Sequence, residues 1–175
     1  LVKFGLNNIT AHDFVKENNL EKNFKIWHKG LTSQERNRLF VLFTKNLSTV
    51  KFYDSSSYLK NIEKAGIVFV PQSWRLYKDN FKLHLLKKRN VPFYSLTRLY
   101  LDFAPAKILA VTGTVGKGSV AYLIFELLKK SHKNVYFTGN ETWRLQLAEK
   151  LMSMKPSDFL VLEISHRQLI DGFTR

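Results

Sequence analysis

Groups able to handle a phosphate are concentrated in one stretch, Thr112-Gly113-Thr114-Val115-Gly116-Lys117-Gly118-Ser119. Before it, Ile108 to Val111 form a continuous apolar run of the kind a buried parallel strand needs. After it, Val120, Leu123, Ile124, Leu127 and Leu128 fall on one stripe of a helix. Strand, glycine-rich turn and helix together aim backbone N–H groups and the positive end of a helix at one phosphate. Lys117 adds a point charge where a β- or γ-phosphate would sit. The run lacks the first glycine of the common nucleotide-binding pattern, and Gly118 stands where that pattern has Ser or Thr. A bare Gly-x-x-Gly-Lys is weak; its flanking strand and helix make the phosphate cradle specific.

A second chemical group lies further along. Phe159-Leu160-Val161-Leu162 is another buried run, and it delivers Glu163 at its carboxyl end. A charge at the tip of an apolar strand is costly unless paired or hydrated, and a metal ion is one such partner. The bland alternative is a surface carboxylate at a strand end.

These residues carry a resemblance. Thr112 to Lys117 resembles the Thr-Gly-Thr-Asn-Gly-Lys loop of the Mur ligase superfamily, with Val115 in place of Asn. The superfamily comprises the ATP-dependent amide-forming enzymes of peptidoglycan precursor synthesis and the related folylpolyglutamate synthases, and Lys117-Gly118-Ser119 is similar to the latter branch. Thr138-Gly139-Asn140 resembles the family's Gly-Gly-Asn turn. Leu162-Glu163-Ile164-Ser165-His166-Arg167-Gln168-Leu169 resembles Leu-Glu-Leu-Ser-Ser-Phe-Gln-Leu of the branch that adds D-glutamate, departing from it at His166 and Arg167.

The resemblance implies an α/β fold, with a Rossmann-like N-terminal parallel sheet followed by a P-loop-type ATPase parallel sheet. Residues 1–103 would be a UDP-substrate-binding domain incomplete at its start, and 104–175 the first part of an ATP-binding central domain. It implies ATP and Mg2+ as cofactors, held by Gly113, Thr114, Val115, Gly116, Lys117, Gly118 and Ser119, with Ser119 and Glu163 as metal ligands. Lys117 and Glu163 would be the catalytic pair, and Asn140, Ser165 and Gln168 would hold the carboxylate donor. The implied reaction adds D-glutamate to UDP-N-acetylmuramoyl-L-alanine through an acyl phosphate. Another ligase of the superfamily and a non-catalytic nucleotide-binding fragment are the alternatives.

Composition sets outer bounds. The 175 residues are 45% hydrophobic, enough for one substantial core or two small ones. No apolar stretch reaches membrane-span length and no signal peptide is recognisable at the start. The absence of cysteine excludes disulfides and cysteine-ligated metals, and fits a cytoplasmic protein. Net charge is +14, with 18 basic and 8 acidic residues up to residue 103 and 10 and 6 after it. Such an excess raises nucleic acid as a rival partner. The only real run, Lys87-Lys88-Arg89, ends a predicted helix where cations suit the dipole, and no nucleic-acid-binding motif accompanies it. The expectation is therefore a monomer that handles a UDP-linked muramyl substrate and an amino acid, and no nucleic acid.

In chain order, Leu1 to Gly5 reads as a helix tail and Asn8 to Ala11 as a strand ending at His12-Asp13. Asp13 either meets a ribose or, the favoured reading, caps a helix over Phe14 to Glu17. Residues 18–30 read as mostly irregular. Ser33 caps a helix reaching Leu47; Val50 to Tyr53 is a strand; Ser57 to Ala65 is a helix closed by Gly66. Ile67 to Val70 is a strand stopped by Pro71, placing Gln72, Ser73 and Arg75 where a diphosphate could be contacted. Trp74 and Tyr77 either stack on a base or cover the sheet edge. A helix over Asn80 to Lys88, a strand over Val91 to Tyr94 and a helix over Leu96 to Phe103 lead to a boundary at Asp102 to Ala106. A strand over Asn134 to Thr138 and a helix over Glu141 to Met154 complete the second half.

Overall fold

The alternation of short apolar strands with helices is realised in a computed structural model that describes residues 5–139 and 149–172. The elements run β1 (Thr10–His12), α1 (Leu20–Trp27), α2 (Ser33–Leu47), β2 (Lys51–Tyr53), β3 (Val68–Phe69), α3 (Phe81–Lys88) and β4 (Phe93–Tyr94). They continue α4 (Leu96–Phe103), β5 (Lys107–Val111), α5 (Lys117–Ser131), β6 (Val135–Gly139), α6 (Glu149–Ser153), β7 (Phe159–Glu163) and α7 (His166–Gly172). Among the described residues every strand pairing is parallel, so the fold is α/β. The chain divides into two compact units, Leu1–Lys64 and Ala65–Arg175.

In the first unit β1 pairs with β2. The helix predicted over Phe14 to Glu17 does not form: Asp13 accepts from the Val15 N–H at 2.9 Å, closing a local turn, and a 3-10 turn follows at Glu17–Asn19. Residues 18–30 are not irregular, because α1 occupies Leu20–Trp27. A single aromatic anchors it, with the ring of Phe24 5.3 Å from that of Phe40 and 5.6 Å from that of Phe43 on α2. The cap of α2 is Thr32, one residue earlier than expected, in a reciprocal box with Glu35. The helix expected over Ser57 to Ala65 is reduced to a 3-10 turn at Ile62–Lys64. Leu59 and Asn61 adopt φ of +56° and +61°, which an α-helix does not admit.

The second unit holds the pair β3–β4 and a three-stranded sheet ordered β5-β7-β6. Its central strand, β7, is buried on both faces, as its unbroken apolar run requires. Side chains alternate. Leu160 and Leu162 face one layer with Tyr100 of α4, Leu151 of α6 and Leu169 of α7. Val161 faces the other with Phe137, Ala121, Ile124 and Leu128, the inner side of α5. The expected stripe on α5 therefore splits: Val120, Leu123 and Leu127 point outward and are exposed. Full burial raises the Tyr100 phenol to about 12, with the Thr138 hydroxyl drawing it the other way.

The amino ends of the sheet are tied by Asp158, which is 3% exposed. Its carboxylate accepts from Asn134 Nδ2 at 3.2 Å and from the Lys155 N–H at 2.8 Å, while its carbonyl accepts from the Lys107 N–H at 2.9 Å. Replacing Asp158 with Ala removes the carboxylate that accepts from Asn134 Nδ2 and the Lys155 N–H, and is expected to lower stability by about 2 kcal/mol in urea unfolding. The raised Tyr100 pKa means the folded chain holds that proton more tightly than the unfolded one. Stability is thus complete below about pH 10 and falls as pH rises toward about 12. Tyr100→Phe should remove that part of the alkaline loss, read from denaturation midpoints across the same range.

Candidate active site

The phosphate loop leaves β5 at Val111 and enters α5 through Gly116, which caps the helix at φ +77°. That left-handed turn suits glycine, since a side chain there is strained even though open space surrounds it. The Val120 N–H bonds back to the Gly116 carbonyl at 3.0 Å, so the N–H groups of Lys117, Gly118 and Ser119 remain free of the helix ladder. Thr112 to Gly116 are exposed, Val115 by 90% of its surface; Lys117 is half-buried and Ser119 lies in the exposed first turn. The sequence-predicted cradle is thus an open loop on a fifteen-residue helix.

Glu163 ends the central strand, between β5 and β6. In register, Val111 of β5 lies on one side of it and Gly139 of β6 on the other. Two residues beyond Val161, it belongs by alternation to the face covered by α5, the helix that carries Lys117 and Ser119. It is only 5% exposed, and its Oε2 has no hydrogen-bond partner. An orphaned buried carboxylate oxygen on the face covered by α5 is a donor that a hard cation could complete. Magnesium fits this donor set, because it takes one or two protein oxygens and completes its shell with phosphate and water. Among the described residues no group of three His, Cys, Asp or Glu gathers, so no all-protein metal cage competes with this arrangement.

The backbone holds the carboxylate in place. The Ile164 N–H donates to the Val111 carbonyl at 2.9 Å, extending the ladder one residue past Glu163. On the other flank, a Cβ at Gly139 would lie 2.4 Å from the Glu163 carbonyl oxygen and 2.6 Å from its Cβ. Gly139 is therefore required by close approach as well as by its φ of +152°. Sequence reading assigned Gly139 only to a turn; its contact with Glu163 depends on register that the chain does not display.

Three of the predicted substrate residues come together. Ser165 Oγ donates to Gln72 Oε1 at 3.0 Å, and the Ser165 N–H donates to Gln168 Oε1 at 2.7 Å. Gln168 Nε2 reaches Thr97 Oγ1 at 2.8 Å, a partner that no sequence signal flagged. Ser73 begins the 3-10 turn Trp74–Leu76 beside Gln72, whereas Asp13 belongs to the first unit and spends a carboxylate oxygen on its own turn. Asn140 lies outside the described residues. His166 and Arg167 are exposed on the first turn of α7. Trp74 is 1% exposed and packs on Phe93 and His84, so it covers the sheet and is closed to a base, while Tyr77 is exposed. Gly139→Ala is expected to cost about 1–3 kcal/mol in urea unfolding, as overpacking against rigid backbone does. It should also displace Glu163, readable as changed amide shifts at residues 163 and 164.

The sequence is similar to known proteins. Residues 111–174 match the Mur ligase middle domain. The chain is 35% identical over 98 residues to a UDP-N-acetylmuramoylalanine-D-glutamate ligase of Elusimicrobium minutum, covering 51% of this chain and 21% of that one. Similarity to the same-named ligase of Clostridium acetobutylicum is 31% over 121 residues, 69% of this chain and 25% of the relative. For that of Acetivibrio thermocellus it is 29% over 120 residues, with the same coverage. The chain spans about a quarter of the length of these curated relatives. The loop after β5, helix α5 and the acid ending β7 all lie inside the matched stretch, so it is in this part that the chain is similar to the Mur ligase middle domain.

Proposed function

We propose that the protein carrying this chain is an ATP-dependent ligase of peptidoglycan precursor synthesis that adds D-glutamate to UDP-N-acetylmuramoyl-L-alanine. The observation that carries the ligase reading is the register of Glu163 with Val111, which sets a buried, partnerless carboxylate oxygen beside the phosphate loop. The D-glutamate assignment is supported by the Leu162 to Leu169 stretch and by the relatives' names. Residues 1–103 are assigned to the UDP-linked substrate and 104–175 to ATP, in a cytoplasmic protein.

The chemistry follows from what a carboxylate lacks. An amine cannot displace a carboxylate oxygen until that oxygen becomes a leaving group, so the γ-phosphoryl of ATP is moved onto it. The resulting acyl phosphate is attacked by the amine, and inorganic phosphate departs with the C–O bond. Lys117 and the first N–H groups of α5 bind and orient the triphosphate, and their fixed positive ends offset charge on the transferred phosphoryl. Ser119 and Glu163 would hold Mg2+, which supplies charge neutralisation of the β- and γ-oxygens when bound. Gln72 and Ser73 are assigned to the substrate diphosphate, and Asn140 and Ser165 to the carboxylate donor, with Gln168, whose amide is spent on Ser165 and Thr97, holding Ser165 in place.

Lys117→Ala should weaken ATP binding about 30-fold or more in a calorimetric titration of this chain, the loss expected for one charged phosphate contact of about 2 kcal/mol. Unchanged affinity removes the phosphate-loop assignment. For the substrate, phosphate release by the longer gene product should require both UDP-N-acetylmuramoyl-L-alanine and D-glutamate. Release supported by a folate and L-glutamate instead would transfer the protein to the branch that Lys117-Gly118-Ser119 resembles.

A further inference from the structure

We propose that Gln168 and Thr97 are positioning residues that fix the Glu163 carboxylate; the functional consequence rests on the ligase reading, the geometry does not. Glu163 Oε2 has no side-chain partner, so its place is set by the backbone around it. One pin is the Ile164 N–H on the Val111 carbonyl, and the second is the close approach of Gly139. The third lies where the chain leaves the strand. There the Ser165 N–H donates to Gln168 Oε1 at 2.7 Å, and the Gln168 N–H reaches Ser165 Oγ at 3.4 Å, a reciprocal capping box at the start of α7.

The residue type at 168 says that capping is half of its work. A box needs only an acceptor in this position, which Glu supplies equally well. Gln also has a donor, and Nε2 spends it on Thr97 Oγ1 at 2.8 Å, across 71 residues of sequence. A side chain with a polar atom free at each end of its amide or carboxylate joins the Ser165 backbone to α4 in this way, since the Thr97 hydroxyl can accept or donate. Both residues are buried, Gln168 at 4% and Thr97 at 2% exposure, so neither bond competes with bulk water. Ser165 Oγ extends the same network to Gln72 in the loop after β3. The strand end carrying Glu163 is thereby tied to two elements of the same unit that precede the phosphate loop.

The test uses the full chain with Gln168→Met, Gln168→Glu and Thr97→Val, read by amide hydrogen exchange and by ATP titration with Mg2+ and with EDTA. Gln168→Met should speed exchange at Ile164 and Ser165 about 10-fold or more while Leu160 to Leu162 stay within about twofold. It should shrink the Mg2+-dependent gain in ATP affinity about 10-fold, the lower end of what outer partners of a metal ligand contribute. Gln168→Glu keeps the acceptor for Ser165, and the Thr97 hydroxyl can turn to donate, so it should recover both readouts to within about threefold. Thr97→Val, nearly isosteric, should move both in the direction of Gln168→Met even if that variant folds poorly. A lowered melting temperature with exchange at Ile164 and Ser165 and the Mg2+ gain both unchanged would make this a structural cap and overturn the proposal. If the unaltered chain shows no Mg2+ gain at all, the ligase reading fails; exchange at Ile164 and Ser165 then decides the positioning role alone, unchanged protection in Gln168→Met refuting it.

Discussion

A carboxylate buried at the end of the central strand is the constraint around which the second unit is arranged. Glu163 is held between Val111 and Gly139 with one oxygen lacking a partner. In an apolar interior such a group raises the energy of the fold unless something outside the chain completes it. The sheet nevertheless places it there, because Phe159 to Leu162 must be buried on both faces and the next residue in line inherits the position.

Sheet order turns that position into a site. With β7 between β5 and β6, the residues ending both outer strands, Val111 and Gly139, flank Glu163. Alternation places it on the face of α5, whose first turn presents free N–H groups, Lys117 and Ser119. Opposite partial and full charges therefore meet on one side of one sheet edge. The other face is given to packing, where Tyr100, Leu160, Leu162 and Ile164 form an apolar layer. The separation keeps the polar chemistry away from the larger core.

Most of this geometry was legible where local signals agreed with tertiary demand. The extents of β5 and β7 follow from continuous apolar runs, α4 from the alternation of strands and helices, and the turn between β5 and α5 from its glycines. What stayed hidden depended on partners distant in sequence. Helix α1 does carry Leu20, Phe24 and Trp27 at helical spacing, but one short apolar stripe among polar residues gains its meaning only from Phe40 and Phe43, on which Phe24 packs. The backbone at Leu59 and Asn61 turns left-handed without glycine, so nothing in residues 57–65 warned that a helix would fail. Trp74 carried two meanings in the sequence, and only burial chose between them. Ser165 and Gln168 were marked only by the family resemblance, and their bonds to Gln72 and Thr97 cross 93 and 71 positions.

The two carboxylates that bracket β7 give the strongest internal comparison. Asp158 and Glu163 are buried to nearly the same degree at opposite ends of one strand. At the amino end the chain spends a side-chain amide and a backbone N–H on Asp158, and the group is fully built into the fold. At the carboxyl end the same chain leaves Oε2 of Glu163 without any donor, although Lys117 begins the helix that covers this face. A strand that satisfies one buried acid is able to satisfy another, so the omission is local to the end of the sheet where open parallel α/β folds receive ligands. Gly139, which holds Glu163 against the neighbouring backbone, adds that the acid is kept in place while its Oε2 is left open. A group both fixed and incomplete is what a cation shared with a phosphate requires, since it must be ready before the cation arrives and must not already be neutralised.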